Sequence, residues 1–209
     1  MTGVQTCALP ISDVTYKFIS GTSVARDFVE LPSQLYEHWF STPEVLSKHA
    51  LHVETGEPMP QEMLDKLLAA KNFDQGFNTV EYIASALVDI DFHTSTPPSD
   101  PMAAQAETLA RLGMPDAISM RIASPQFNHV FSGDGYSSGY YSYMWSEVMD
   151  EDAFAAFEET GDVFDSGVAA KLEKYIYAAG GSKDAAELYT EFRGALPKIG
   201  ALLKGRGLN

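Results

Sequence analysis

Three groups of residues in this chain have types and spacings that could do chemistry. The first is the carboxylate Glu30 in Arg26–Trp39 (RDFVELPSQLYEHW), with Gln34 one turn beyond it and Glu37 two turns beyond. On a helix these positions share a face. A carboxylate with a hydrogen-bonding group one turn away suits a metal ligand, whose orientation needs such support. Spacing alone favours a second reading. Asp27 and Glu30 stand as Asp-x-x-Glu before an apolar turn, the pattern of a capping box. The second group is His129 in FNHVFSGDGY, between Phe127 and Phe131. A lone histidine among aromatics can be a functional imidazole or a packed core residue. The third is GYSSGYYSYMW, where Tyr136, Tyr140 and Tyr143 fall at i, i+4 and i+7. If the stretch is helical throughout, three phenols line one face; if Tyr136 stays in the loop, Tyr140 and Tyr143 still share it. Phenol hydroxyls can donate to a developing oxyanion, and half-buried tyrosines also simply pack. The other histidines, 38, 49, 52 and 93, have no ligand spacing that brings in a third partner. A catalytic zinc of the common type takes two imidazoles and a general base from one helix bearing His-Glu-x-x-His. No such motif occurs in the 209 residues.

The elements that must position these groups are almost all helical. Ser41-Thr-Pro-Glu44 reads as a helix start, with a capping hydroxyl and Pro43 in the first turn. Pro60 opens a helix in which Met63, Leu64, Leu67 and Leu68 form a stripe. From Asp74 to His93 the apolar residues Phe77, Val80, Tyr82, Ile83, Ala84 and Leu87 nearly encircle the axis, which predicts burial on several sides. Asp100-Pro101 caps a helix running through Arg111 and ended by Gly113 and Pro115. Further helices are expected over 139–159, 166–179, 183–193 and 197–207, with Gly180-Gly181-Ser182 as a C-cap followed by an N-cap. Val14–Ser23 is expected to be extended, and Ala117–Gly135 to be a loop-rich connection.

Composition limits the partners. Lys and Arg number 14 against 29 Asp and Glu, a net charge of −15. Nucleic acids and anionic membranes select basic surfaces, so both are disfavoured. No apolar run approaches the roughly 18 residues of a membrane span, and the hydrophobic fraction of 45% is that of an ordinary globular domain.

The first eleven residues, MTGVQTCALPI, carry no charge and no apolar period. They lack the basic n-region and apolar core of a signal peptide. They resemble the in-frame translation of a sequencing-library adapter, with a GTG start read as Met. Residues 1–11 are therefore expected to be an artefact and 12–209 the genuine segment. Cys7 falls in the artefact, so disulfides, thiolate ligands and a cysteine nucleophile are not expected.

RDFVELPSQLYEHW, the SGT before it and HVFSGDGYSSGYYSYMW together resemble the thimet-oligopeptidase family of zinc metallopeptidases, and within it the bacterial peptidyl-dipeptidases more than the oligopeptidase A type. The resemblance continues through HVETGEPMPQEMLDKLLAAKNF and FRGALPKI into the terminal RGLN, so the natural C-terminus is expected to be intact. It implies a mainly α-helical fold with little or no sheet, the C-terminal part of a cleft-type catalytic domain. It also implies one zinc ion, with Glu30 as its third protein ligand. His129, Tyr140 and Tyr143 match catalytic positions, Tyr143 as the oxyanion donor. Tyr136 matches a loop residue that closes over peptide, although SGDGY differs in length from the shorter Gly-Gly-Tyr of several relatives. Gly21 and Thr22 fall where the family presents backbone to substrate. The His-Glu-x-x-His helix lies about 25 residues before the third ligand in the family, which counts back into the adapter-like stretch. The expected molecule is thus an inactive C-terminal portion of a peptidase that releases C-terminal dipeptides from short peptides. By the same resemblance the intact protein is expected to be monomeric and cytoplasmic, with the periplasm open because the natural N-terminus is expected to be missing. Two alternatives stand beside this reading: an oligopeptidase A-like endopeptidase, or a non-catalytic helical interaction module.

Overall fold

The computed structural model describes residues 11–208. The adapter-like stretch, apart from Ile11, and Cys7 with it lie outside the described residues. Ten α-helices carry the described residues: α1 (Leu31–Trp39), α2 (Pro43–His49), α3 (Gln61–Ala70), α4 (Gln75–Thr94), α5 (Pro101–Arg111), α6 (Asn128–Phe131), α7 (Ser142–Glu158), α8 (Ser166–Leu172), α9 (Ala185–Arg193) and α10 (Ile199–Gly205). Helix α8 continues as a π-helical turn over Glu173–Tyr177. Among the described residues no strand forms; one isolated antiparallel bridge joins Leu51 and Pro58. The mainly α expectation holds.

The chain divides into two compact units, one made of the residues up to Phe73 together with 145 onward, the other of Asp74–Met144. The first is built on α1 and α7. Apolar residues at the 3,4 spacing of α1, with Phe28 just before it, bury Phe28, Leu31 and Leu35 against Met149, Ala153, Phe154 and Phe157 of α7. Leu172, Ile176, Tyr177, Tyr189 and Phe192 complete this core. Trp39 meets Phe154 and Phe157 edge-on, with centroids 5.0 and 5.1 Å away, and its indole N–H donates to the Val163 carbonyl at 2.8 Å.

Residues 14–23 are not extended. Lys17–Ile19 forms a 3-10 turn, followed by a turn in which Gly21 has φ +57°. Among the described residues no strand lies alongside to pair with it; the segment packs instead on Gly180 and Gly181. A Cβ at Gly180 would come within 2.3 Å of the Ile19 carbonyl oxygen, so only glycine permits this approach. The Gly181 N–H donates to that carbonyl at 2.7 Å.

In the second unit, Ala86 and Val88 of α4 pack with Met120, Phe127, Val130 and Tyr140. The buried positions of α4 are Ala84, Ser85, Ala86, Val88 and Asp89, while Phe77, Val80, Ile83 and Leu87 are exposed. The expectation of burial on several sides is corrected: most of the large apolar residues lie on the open face. The α3 stripe behaves alike, with Leu64 buried and Met63, Leu67 and Leu68 exposed. Helix α5 starts as its sequence dictates. The Asp100 carboxylate accepts from the Met102 and Ala103 amides, both at 3.0 Å, and Pro101 occupies the first position.

Candidate functional site

Glu30 is the residue immediately before α1, with helical backbone angles and no side-chain bond to the helix amides. The capping-box reading of Asp27 and Glu30 is therefore not realised. Pro32 falls in the first turn, where its missing N–H disturbs no ladder bond. The turn ahead of it is fixed by Phe28 in the core and by Ser146, whose hydroxyl donates to the Asp27 carbonyl at 3.0 Å. The Glu30 carboxylate is buried, 5% exposed, and its Oε2 lies 2.9 Å from the Ser33 hydroxyl. A carboxylate at a helix N-terminus is electrostatically favoured there. The Ser33 bond and the burial hold it in one place.

Glu30 alone is not a zinc site. Among the described residues it belongs to no group of three His, Cys, Asp or Glu side chains close enough to share an ion. The one such group is His38, Asp150 and Glu151, also in the first unit, with ligand atoms within 4.8 Å of one another. His38 Nε2 lies 2.8 Å from Asp150 Oδ1. The donor set of two imidazoles and a carboxylate that a catalytic zinc requires is accordingly not present around Glu30 among the described residues.

Gly21 and Thr22 lie in the turn packed on Gly180 and Gly181. The Gly21 N–H donates to the Ser12 hydroxyl at 2.7 Å.

The second unit brings His129, Tyr136, Tyr140 and Tyr143 together. His129 stands on α6, the single helical turn Asn128–Phe131. Its Nε2 lies 2.9 Å from the Tyr143 hydroxyl. Tyr136 stacks on Tyr143 (centroids 5.9 Å, planes 10° apart) and sits 4.4 Å from the His129 ring. Tyr140 meets Tyr143 edge-on at 5.9 Å and is itself buried, stacked on Tyr82 at 4.9 Å and edge-on to Phe127 at 4.8 Å. Burial raises the Tyr140 phenol above its ordinary range, Glu81 adds to the rise, and Arg121 opposes it. Tyr140 is therefore a neutral hydroxyl in a packed setting, whereas His129 is exposed and Tyr143 partly so. The imidazole and the Tyr143 phenol can share a proton and offer donors to a carbonyl oxygen.

These four residues do not meet by helical periodicity. Helix α7 begins at Ser142, so Tyr140 lies in the preceding turn and only Tyr143 of the three tyrosines is helical. The turn is closed by the Gly139 N–H donating to the Tyr136 carbonyl at 2.8 Å. The residues that hold it were not among those singled out from sequence. The Asp89 carboxylate takes the Ser138 and Tyr140 amides, and the Tyr82 hydroxyl donates to the Tyr140 carbonyl. An acid inside the apolar run ALVDIDF of α4 is the available signal.

The chain is matched by the model of peptidase family M3 over residues 10–208, and it belongs to that family. It is similar to the dipeptidyl carboxypeptidase of Escherichia coli K12, 36% identical over 93% of this chain and 29% of the relative. It is likewise similar to oligopeptidase A of the same organism, 39% identical over 91% of this chain and 28% of the relative. A thimet-like oligopeptidase of Dictyostelium discoideum is 33% identical over 93% and 29% of the two chains. The chain thus spans less than a third of the length of the curated relatives it matches. Among the described residues no helix is long and apolar enough to cross a membrane.

Proposed function

We propose that residues 12–209 are the C-terminal portion of the catalytic domain of a zinc metallopeptidase that acts on short peptides. In this reading Glu30 is the carboxylate ligand, and the two imidazoles and the general base come from outside the described residues. His129 and Tyr143 hydrogen-bond the carbonyl of the bond to be cut and then its oxyanion. Tyr136 covers the peptide, and the buried Tyr140 fixes the ring of Tyr143. Gly21 and Thr22 offer backbone to the substrate. The observation that carries the reading is the exposed His129–Tyr143 pair, 2.9 Å apart, in a chain of family M3. Preorganised donors aimed at a developing oxyanion are a large term in acyl-transfer catalysis.

The favoured reaction is release of C-terminal dipeptides. Endopeptidase action of the oligopeptidase A kind is the second reading, favoured by 39% identity to that relative. The 209 residues contain no His-Glu-x-x-His, so the chain by itself is proposed to be inactive and to bind zinc weakly. The experiment is to extend the gene upstream and compare its product with the 209-residue chain on oligopeptides blocked or free at the C-terminus. Chelator-sensitive dipeptide release by the longer product alone is expected. Zinc-dependent release by the 209-residue chain contradicts the proposed inactivity, and cleavage of C-terminally blocked peptides favours the endopeptidase.

A further inference from the structure

Asp89 lies in the interior of α4 and has no solvent exposure. A buried carboxylate is unfavourable unless its lone pairs are satisfied, and two backbone N–H groups and the His93 imidazole converge on this one. Oδ1 accepts from the Ser138 amide at 3.1 Å and Oδ2 from the Tyr140 amide at 2.9 Å. His93, one turn later on the same helix, places Nδ1 2.8 Å from Oδ1 and 2.8 Å from the Asp89 carbonyl. The His93 contact is an i,i+4 pair within α4. Two of the three reach out to the loop that carries the tyrosines.

That loop has a backbone it would not adopt unaided. Ser138 has φ +53°, in the left-handed region that disfavours side-chain-bearing residues. At Gly139 a Cβ would stand 3.0 Å from the Tyr136 carbonyl oxygen. The peptide at Tyr140 is gripped from both ends by α4: its N–H by Asp89, its carbonyl by the hydroxyl of Tyr82, two turns earlier. His93 also stacks on Phe131 of α6, centroids 5.1 Å apart and planes 20° apart. Through Asp89 the helix fixes the turn that feeds Tyr143 into α7. Through His93 it buttresses the short helix that presents His129.

We propose that Asp89 is a positioning residue, which with His93 sets the Tyr136–Tyr143 loop and α6 so that His129 and Tyr143 stand in hydrogen-bond register for a substrate carbonyl. The functional half rests on the reading of His129 and Tyr143 as substrate contacts; the positioning half does not.

The test uses the 209-residue chain with Asp89→Asn, Ser138→Gly and the double variant, read by amide hydrogen exchange and by the NMR signals of the His129 ring. Asparagine keeps the shape but offers one acceptor oxygen to two amides. Exchange at positions 138 and 140 is expected to rise roughly ten- to a hundredfold, the range for losing a bond to a charged group. Amides of α5 are expected to keep their protection, and the His129 signals to move as the bond to Tyr143 opens. Ser138→Gly removes the left-handed strain. In the Asp89→Asn background it is expected to restore part of the protection at 140 and return the His129 signals toward their starting positions, which a merely structural loss would not allow. Unchanged His129 signals in Asp89→Asn, or uniform loss of protection with no recovery in the double variant, overturns the proposal. If Asp89→Asn yields no folded chain, His93→Gln is read instead. Shifted His129 signals with protected 138 and 140 amides support the inference, and unmoved signals overturn it. Titration of the upstream-extended gene product with a tripeptide bearing a free C-terminus separates the two halves. Shifts at His129 and Tyr143 support the substrate reading; no shift sinks that reading while the exchange result still decides the positioning.

Discussion

Replacing Asp150 by asparagine should abolish a fall in stability that the unsubstituted chain shows as pH rises above neutrality. Asp150 is 2% exposed and sits 2.8 Å from His38 Nε2. Burial pushes its carboxyl up to about 9, Glu147 and Glu37 push the same way, and Lys71 and Arg206 oppose them. Burial also lowers His38, whose ring stacks on Phe154 at 4.7 Å, against the raising field of Glu151. Both shifts favour a neutral pair, the carboxyl donating to the imidazole, over an ion pair at the same distance. The folded chain then holds a proton at Asp150 that the unfolded chain gives up near pH 3.8. A raised group contributes stability that is complete below the unfolded value and is lost as pH rises through the folded one. His38 has the opposite sign: its lowered value makes stability fall as pH drops below 6.5, so above 6.5 Asp150 acts without it. One proton difference is worth about 1.4 kcal/mol per pH unit, so the loss between pH 7 and pH 9 reaches at most about 2.7 kcal/mol. Urea unfolding at pH 7, 8 and 9 measures it. Asp150→Asn, which keeps a donor toward His38, should flatten the profile. Parallel profiles for the two proteins would refute the neutral-pair argument.

Two further substitutions test the frame. Asp100→Ala removes the carboxylate that takes two amides at the start of α5 and should cost about 1 kcal/mol in urea unfolding; an unchanged midpoint contradicts the cap. Leu35→Ala empties a fully buried position in the core of α1 and α7 and should cost about 2–5 kcal/mol by the same measurement; a loss below 1 kcal/mol would mean that this core is not closed.

Much of the helical frame could be read from local chemistry. Asp100-Pro101 and Gly113 bracket α5 because cap, proline and left-handed glycine all act within a few residues. The start of α9 was misplaced. Ser182 looked like the cap, but Asp184 accepts from the Ala186 and Glu187 amides, a carboxylate in reach where the hydroxyl is not. The Ser41 hydroxyl, which with Glu44 fits a capping box before α2, instead turns back to the His38 carbonyl at 3.0 Å. The start of α7 was out of reach of any periodic rule. The amide of Tyr140 bonds the Asp89 side chain, 51 residues earlier, and the helix opens at Ser142. The same long-range bonds assemble His129 with the tyrosines, which is why their meeting was legible as a motif but not as geometry. The open faces of α3 and α4 escape sequence reading for a related reason: an apolar stripe says that a residue can be buried, not that this chain supplies the partner.

The most direct test of the account is the zinc content of the upstream-extended gene product with and without Glu30→Gln, a change that keeps the volume and removes the charge. The account expects one zinc per unsubstituted chain, its loss in the variant, and loss of dipeptide release with it. A Glu30→Gln protein that retains its zinc and its activity would contradict the assignment of Glu30 as the ligand.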